Sequence, residues 1–209
     1  DIDKALEMNP NAINALIMRA DIAINRNQDY KQALSDMDRA IKLQPRQSGL
    51  FVNRAFLRYK LDDYFGAMSD YDYALQLDPL NNAALFNRSL LRMEVRDFNN
   101  ALTDLNQVLA LNPNDYRALY NRTIVNRELH DYRNALKDIN QLISVFPDLA
   151  AAYFLRFDIK QRLNDRSAQR DYDKSLALAK QRIKRDGANP TASEFFGQAD
   201  KDGDGTEPQ

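Results

Sequence analysis

Cysteine and tryptophan are absent from this chain of 209 residues, histidine occurs once and glycine only six times. Without cysteine there is no disulfide, no thiolate metal site and no thiol nucleophile. The lone histidine, His130, stands beside Asp131 and supplies neither a metal cluster nor a triad. No glycine-rich loop is present to cradle a phosphate. A charge excess of one sign is lacking too: 29 Lys and Arg against 30 Asp and Glu leave a net charge of −1. No overall field therefore recruits nucleic acid or anionic lipid, and the tyrosines do not interleave with a basic stripe. No apolar run approaches the roughly 18 residues of a membrane span. Nucleic acid, membrane insertion and a bound cofactor are accordingly not expected, and no catalytic constellation emerges.

A repeat fills the space these absences leave. "DIDKALEMNP" at 1–10 returns as "DMDRAIKLQP" at 36–45, "DYDYALQLDP" at 70–79, "DLNQVLALNP" at 104–113 and "DINQLISVFP" at 138–147. A prolineless copy, "DYDKSLALAK", follows at 171–180. The prolines at 10, 45, 79, 113 and 147 are 35, 34, 34 and 34 residues apart. Within 80–113, "AALFNRSLLRMEV" and "NNALTDLNQVLAL" both carry apolar residues at helical spacing, "RDF" turns the chain between them, and Pro113 ends the second helix. Such a helix–turn–helix unit cannot bury its apolar faces alone; stacking on its neighbours completes the core.

The small-x3-bulky pairs Ala33/Met37, Ala67/Tyr71, Ala101/Leu105, Ala135/Ile139 and Ala168/Tyr172, together with the prolines, resemble the tetratricopeptide repeat family over roughly residues 1–186. The resemblance implies an all-α, right-handed superhelix of stacked helix-turn-helix repeats, about eleven helices in all. Residues 1–12 form the second helix of a truncated repeat. Full repeats occupy 13–47, 48–81, 82–115, 116–149 and 150–186, the last with an extended helix, and 187–209 form a flexible tail or linker. Where the family usually has glycine in the first helix, this chain has Ala55, Ser89 or Thr123. The preceding leucine becomes Arg19, Arg54, Arg88, Arg122 or Arg156. The chain opens on half a unit, so further repeats upstream, or another subunit, are expected to cover that end. Self-association through it is the corresponding expectation for assembly.

At about 100° per residue, Arg88 faces the second helix of its repeat and its neighbour Asn87 faces the opposite way. Every unit with this arginine also has an aspartate at a fixed place in its second helix. Five structural ion pairs are therefore expected: Arg19–Asp36, Arg54–Asp70, Arg88–Asp104, Arg122–Asp138 and Arg156–Asp171. Asn53, Asn87 and Asn121 recur once per repeat on the other arc, which the resemblance identifies with the family's concave groove. A side-chain amide offers a donor and an acceptor to one peptide unit of an extended ligand, and asparagine ladders hold peptide backbones in some family members. A solvated or locally satisfied asparagine is the alternative.

Val52, Phe56, Phe86, Leu90, Tyr120, Ile124 and Phe154 make the same arc apolar, joined by a few polar members, Asp21, Lys60, Glu94, Arg127 and Asp158. Curvature, or Phe195 and Phe196 of the tail, would be the alternative cover. The family's basic clamp for chaperone C-termini looks absent, because Val52, Phe86 and Tyr120 stand where lysine would be expected. Asp200, Asp202 and Asp204 match half a calcium loop without its twelfth-position glutamate, so no metal is assigned to them.

The expectation is a non-enzymatic module that binds another protein or a peptide in its groove. A structural scaffold, or the targeting arm of a larger enzyme, are the alternatives. The resemblance extends to tetratricopeptide proteins of the bacterial cell envelope, which implies a periplasmic or envelope location, with the cytoplasm as the alternative.

Overall fold

The computed structural model describes residues 2–186. The tail, with Phe195, Phe196, Asp200, Asp202 and Asp204, lies outside the described residues. These contain eleven α-helices and no strand. The chain divides after Pro113 into two compact units.

In the first unit, α1 (Ile2–Met8) leads into the hairpins α2 (Ile13–Ile22) with α3 (Tyr30–Leu43), α4 (Ser48–Lys60) with α5 (Tyr64–Leu77), and α6 (Asn82–Glu94) with α7 (Phe98–Leu111). Each second helix also packs on the first helix of the next hairpin, α3 on α4 and α5 on α6, while α4 touches α6 as well. The second unit repeats the arrangement with α8 (Tyr116–Glu128) and α9 (Tyr132–Val145), then α10 (Ala150–Arg162) and α11 (Ala168–Asp186).

Each hairpin turn is written the same way. One residue adopts positive φ: Gln28 at 51°, Asp62 at 62°, Arg96 at 61°, His130 at 61° and Asn164 at 55°. An aspartate follows in every case, and in three of the five turns its side chain caps the second helix. Asp29, Asp63 and Asp131 accept hydrogen bonds from the amides of Gln32 at 3.0 Å, Gly66 at 2.9 Å and Asn134 at 3.1 Å. Asp97 instead takes the side-chain amide of Asn100 at 2.8 Å. At the far end, proline confines the residue before it to extended backbone, as at Asp78 (φ −142°, ψ 92°) and Asn112 (φ −136°, ψ 92°), and the helix stops there.

The 35-residue first spacing has a local cause. Arg19 lies 17 residues before Asp36, whereas the next three pairs are 16 apart. The extra residue is absorbed at the end of α2, where Ala23–Asn27 form a π-helical turn. Widening one turn takes up a residue without breaking the helix.

The core is built from small residues at the helix crossings. Ala33, Ala67, Ala101 and Ala135 are fully buried, as are Ala55, Ser89 and Thr123, each directly after a paired arginine. Ser89 and Thr123 donate to the carbonyls of Phe86 at 2.6 Å and Leu119 at 2.8 Å. Their hydroxyls are thus satisfied within their own helices and need no partner across the interface.

Candidate functional site

All five arginines meet the aspartate of their own repeat through two parallel bonds. Nε and Nη2 donate at 2.8 and 2.6 Å in Arg19–Asp36, at 2.8 and 2.7 Å in Arg54–Asp70, and at 3.0 and 2.6 Å in Arg88–Asp104. The second unit has 2.7 and 2.7 Å in Arg122–Asp138 and 2.9 and 2.6 Å in Arg156–Asp171. This fork-on-fork geometry is the one a planar guanidinium favours with a carboxylate. The aspartates are buried, so each depends on its arginine for charge compensation.

Two further contacts escaped sequence reasoning. The remaining nitrogen, Nη1, reaches back to the preceding repeat: Arg19 to Asp3 at 3.1 Å, Arg54 to Asp38 at 2.8 Å, Arg88 to Asp72 at 2.7 Å and Arg156 to Asn140 at 2.8 Å. Asp38, Asp72 and Asn140 each lie two residues after the preceding repeat's paired aspartate, and Asp3 holds the same place in the opening half-repeat, so the D-x-D or D-x-N within every quoted repeat was the signal. The second contact comes from one helical turn beyond the arginine. Arg58 donates to Asp70 at 2.8 Å, Arg92 to Asp104 at 2.5 Å and Lys160 to Asp171 at 2.9 Å. Burial pushes the Asp171 carboxyl up, but its bonds to Arg156 and Lys160 prevail and hold it below the usual range.

The other arc of the first helices is less uniform. Asn53 is exposed and Asn87 half-buried, and neither side chain hydrogen-bonds to another described residue. Asn121 differs: its Nδ2 donates to the carbonyl of Arg117 at 2.9 Å, one turn earlier in α8. Phe56, Phe86 and Leu90 in the first unit, and Tyr120 and Ile124 in the second, are half-buried. Burial raises the Tyr120 phenol above its ordinary range, opposed only by the nearby charge of Arg127. Phe154 is also half-buried, with its ring against Phe157 at 5.9 Å and Tyr172 at 6.5 Å.

Val52 corrects the helical-wheel reading. It belongs to the core of the first unit and retains only 6% of its surface. A wheel assigns an angle but not the number of neighbours. Helix α4 touches α3, α5 and α6, which together cover more of its circumference than one apolar stripe.

Around the arc, Arg127 pairs with Glu128 at 2.6 Å and Asp158 at 3.4 Å. Lys60 lies over Phe56, its ammonium 5.3 Å from the ring centre. His130 is an exposed turn residue whose Nδ1 lies 2.9 Å from the Tyr132 hydroxyl. Among the described residues no group of acidic or histidine side chains could hold a metal ion, and no helix is long and apolar enough to cross a membrane.

Residues 20–92 match a family model described as tetratricopeptide repeat. Comparison with curated proteins finds no match. Among solved structures, a tetratricopeptide repeat protein from Parabacteroides merdae is 23% identical, with a TM-score of 0.72 over 92% of this chain and 73% of that one. MamA from Desulfovibrio magneticus is 16% identical, with a TM-score of 0.76 over 81% of this chain and 96% of its own. YrrB, described as a protein of the same repeat class with an unusual peptide-binding site, is 19% identical, with a TM-score of 0.73 over 85% of this chain and 92% of that one.

Proposed function

We propose that this chain is a non-enzymatic module of the tetratricopeptide repeat class that binds an extended segment of another protein, a reading supported by the family-model match over residues 20–92 and by the likeness of its fold to solved tetratricopeptide structures. The segment lies along the faces of the first helices that point away from their hairpin partners. The observation that carries this reading is the state of Asn53 and Asn87. They occupy the same place in successive repeats, carry solvent-accessible side chains, and commit neither donor nor acceptor to any other described residue. An amide held ready in that way matches the polar groups of one peptide unit, and its repetition matches a backbone running along the repeats. Phe56, Phe86 and Leu90 beside them would receive apolar side chains.

In the second unit Asn121 has given its donor to Arg117, so its oxygen is the group left to accept from a ligand amide. Tyr120, Ile124 and Phe154 form the corresponding apolar surface. YrrB, which shares the fold, is described as having a peptide-binding site, which is consistent with this use of the architecture.

The test is affinity capture with the wild type and with the Asn53, Asn87 and Asn121 to alanine triple variant, after circular dichroism shows that the variant is folded. A protein retained by the wild type and lost from the triple variant is the expected result. Equal capture by both would move the binding surface elsewhere. Assembly that depends on concentration and ignores these substitutions would favour a scaffold role.

A further inference from the structure

At the ends of α4 and α6 the first unit holds a cluster that the repeat does not require. The Tyr59 and Tyr64 rings meet edge to face, 5.7 Å apart. Phe56 stands one turn before Lys60 on α4, and the Lys60 ammonium lies 5.3 Å from the Phe56 ring centre and 5.6 Å from that of Tyr59. Glu94, at the end of α6 in the next repeat, faces the Tyr64 hydroxyl at 3.5 Å. The same hydroxyl lies 3.4 Å from Asp62. Burial, with Glu94 alongside, pushes the Tyr59 phenol up to about 12.

The charged groups here are not paired with one another. Arg58 is committed to buried Asp70 at 2.8 Å and to Asp63 at 3.7 Å. Lys60 and Glu94 are both exposed, and among the described residues neither makes an ion pair. An exposed carboxylate beside half-buried aromatic faces of negative potential makes a poor site for an anion and a good one for a cation. Lys60 already shows the preference, because its ammonium lies over two rings although it could extend into water.

We propose that Phe56, Tyr59, Tyr64 and Glu94 form a pocket for a basic side chain, lysine or arginine, of the bound segment, and that Lys60 fills this pocket from within the chain. The inference rests on the reading that the first-helix face binds an extended segment, and it adds the chemistry of one ligand residue. The incoming cation displaces Lys60 to solvent, sits over the rings and pairs with Glu94. Lys60 is therefore a competitor of the ligand as well as a neighbour of it.

The experiment uses the full chain and small probes: lysine capped as N-acetyl and N-methylamide, against equally capped norleucine, followed by nuclear magnetic resonance. Capped lysine is expected to shift the Tyr59, Tyr64 and Lys60 signals, and norleucine is not. Glu94→Gln should weaken binding of capped lysine by about three- to tenfold, and Lys60→Ala should tighten it by a similar factor. Both positions are exposed, so circular dichroism should find the two variants folded. Equal shifts with norleucine, no shifts at all, or weaker binding in Lys60→Ala would overturn the pocket. The two readings fail separately. Absent pocket shifts, with capture still dependent on the asparagines, overturn the pocket alone. Pocket shifts with capture indifferent to the asparagines overturn the asparagine-lined face and leave the cation pocket standing.

Discussion

Asp104 has no exposed surface and accepts three hydrogen bonds from two guanidinium groups, those of Arg88 and Arg92. Removing the carboxylate takes from Arg92 its buried counter-charge and leaves Arg88 only the half-exposed Asp72, so Asp104→Ala is expected to cost about 3–5 kcal/mol. The measurement is a lower midpoint of urea unfolding with an unchanged slope. Asp72, which receives only the third nitrogen of Arg88, keeps 47% of its side-chain surface. Water competes for that contact, and Asp72→Ala is expected to cost less than about 1 kcal/mol. Asp171 adds a pH dependence. Its folded-state pKa is depressed, so its contribution is complete above the ordinary aspartate range and is lost as pH falls below that range and through the folded-state value. Asp171→Asn should flatten the acid limb of the stability profile relative to the wild type. The paired residues were legible in the sequence because arginine and aspartate each recur at a fixed place. Their links to the preceding repeat were not, because each unit was read by itself. Val52 was misplaced for a related reason: its burial depends on three neighbouring helices.

At the level of helices and turns, the prolines and turn aspartates were visible, but the left-handed residues were not. Gln28, Asp62, Arg96, His130 and Asn164 share a conformation without sharing a residue type. A side chain at positive φ crowds its own backbone, and asparagine and aspartate tolerate this best. Arg96→Gly should therefore stabilise the protein by about 0.5–1 kcal/mol, after allowing for the looser unfolded chain. Asp62→Gly should give less, and thermal unfolding of the two variants makes the comparison. The π-helical turn at Ala23–Asn27 was legible only as a spacing of 35 in place of 34. Deleting exposed Asn25 should restore ordinary helical winding and raise the melting temperature, while Arg19 still reaches Asp36. A deletion at the corresponding point of α4, which has no residue to spare, should lower it.

For the molecule as a whole, the period carried almost everything about architecture. A unit of 34 residues with two apolar faces has few ways to bury both, and stacking on copies of itself is the simplest. The proposed binding surface was less legible. Repetition marks Asn53, Asn87 and Asn121 alike, but only the structure distinguishes the last, whose donor is spent on Arg117. The cation pocket breaks the repeat, since Tyr59 becomes Met93 in the next hairpin, and a reading based on periodicity passes over such residues. The arginine contacts to the preceding repeat also define how this chain could be cut and rejoined. Excising 48–81 would place Arg88 where Arg54 now stands, opposite Asp38, and a new junction would close with a pairing already in use. Excising one residue fewer would turn every later side chain by about 100° and leave no such pairing. The protein thus has an editing frame of whole repeats, set by side chains rather than by the genetic code. The in-frame excision should unfold cooperatively at a lower temperature, and the out-of-frame one should fail to fold.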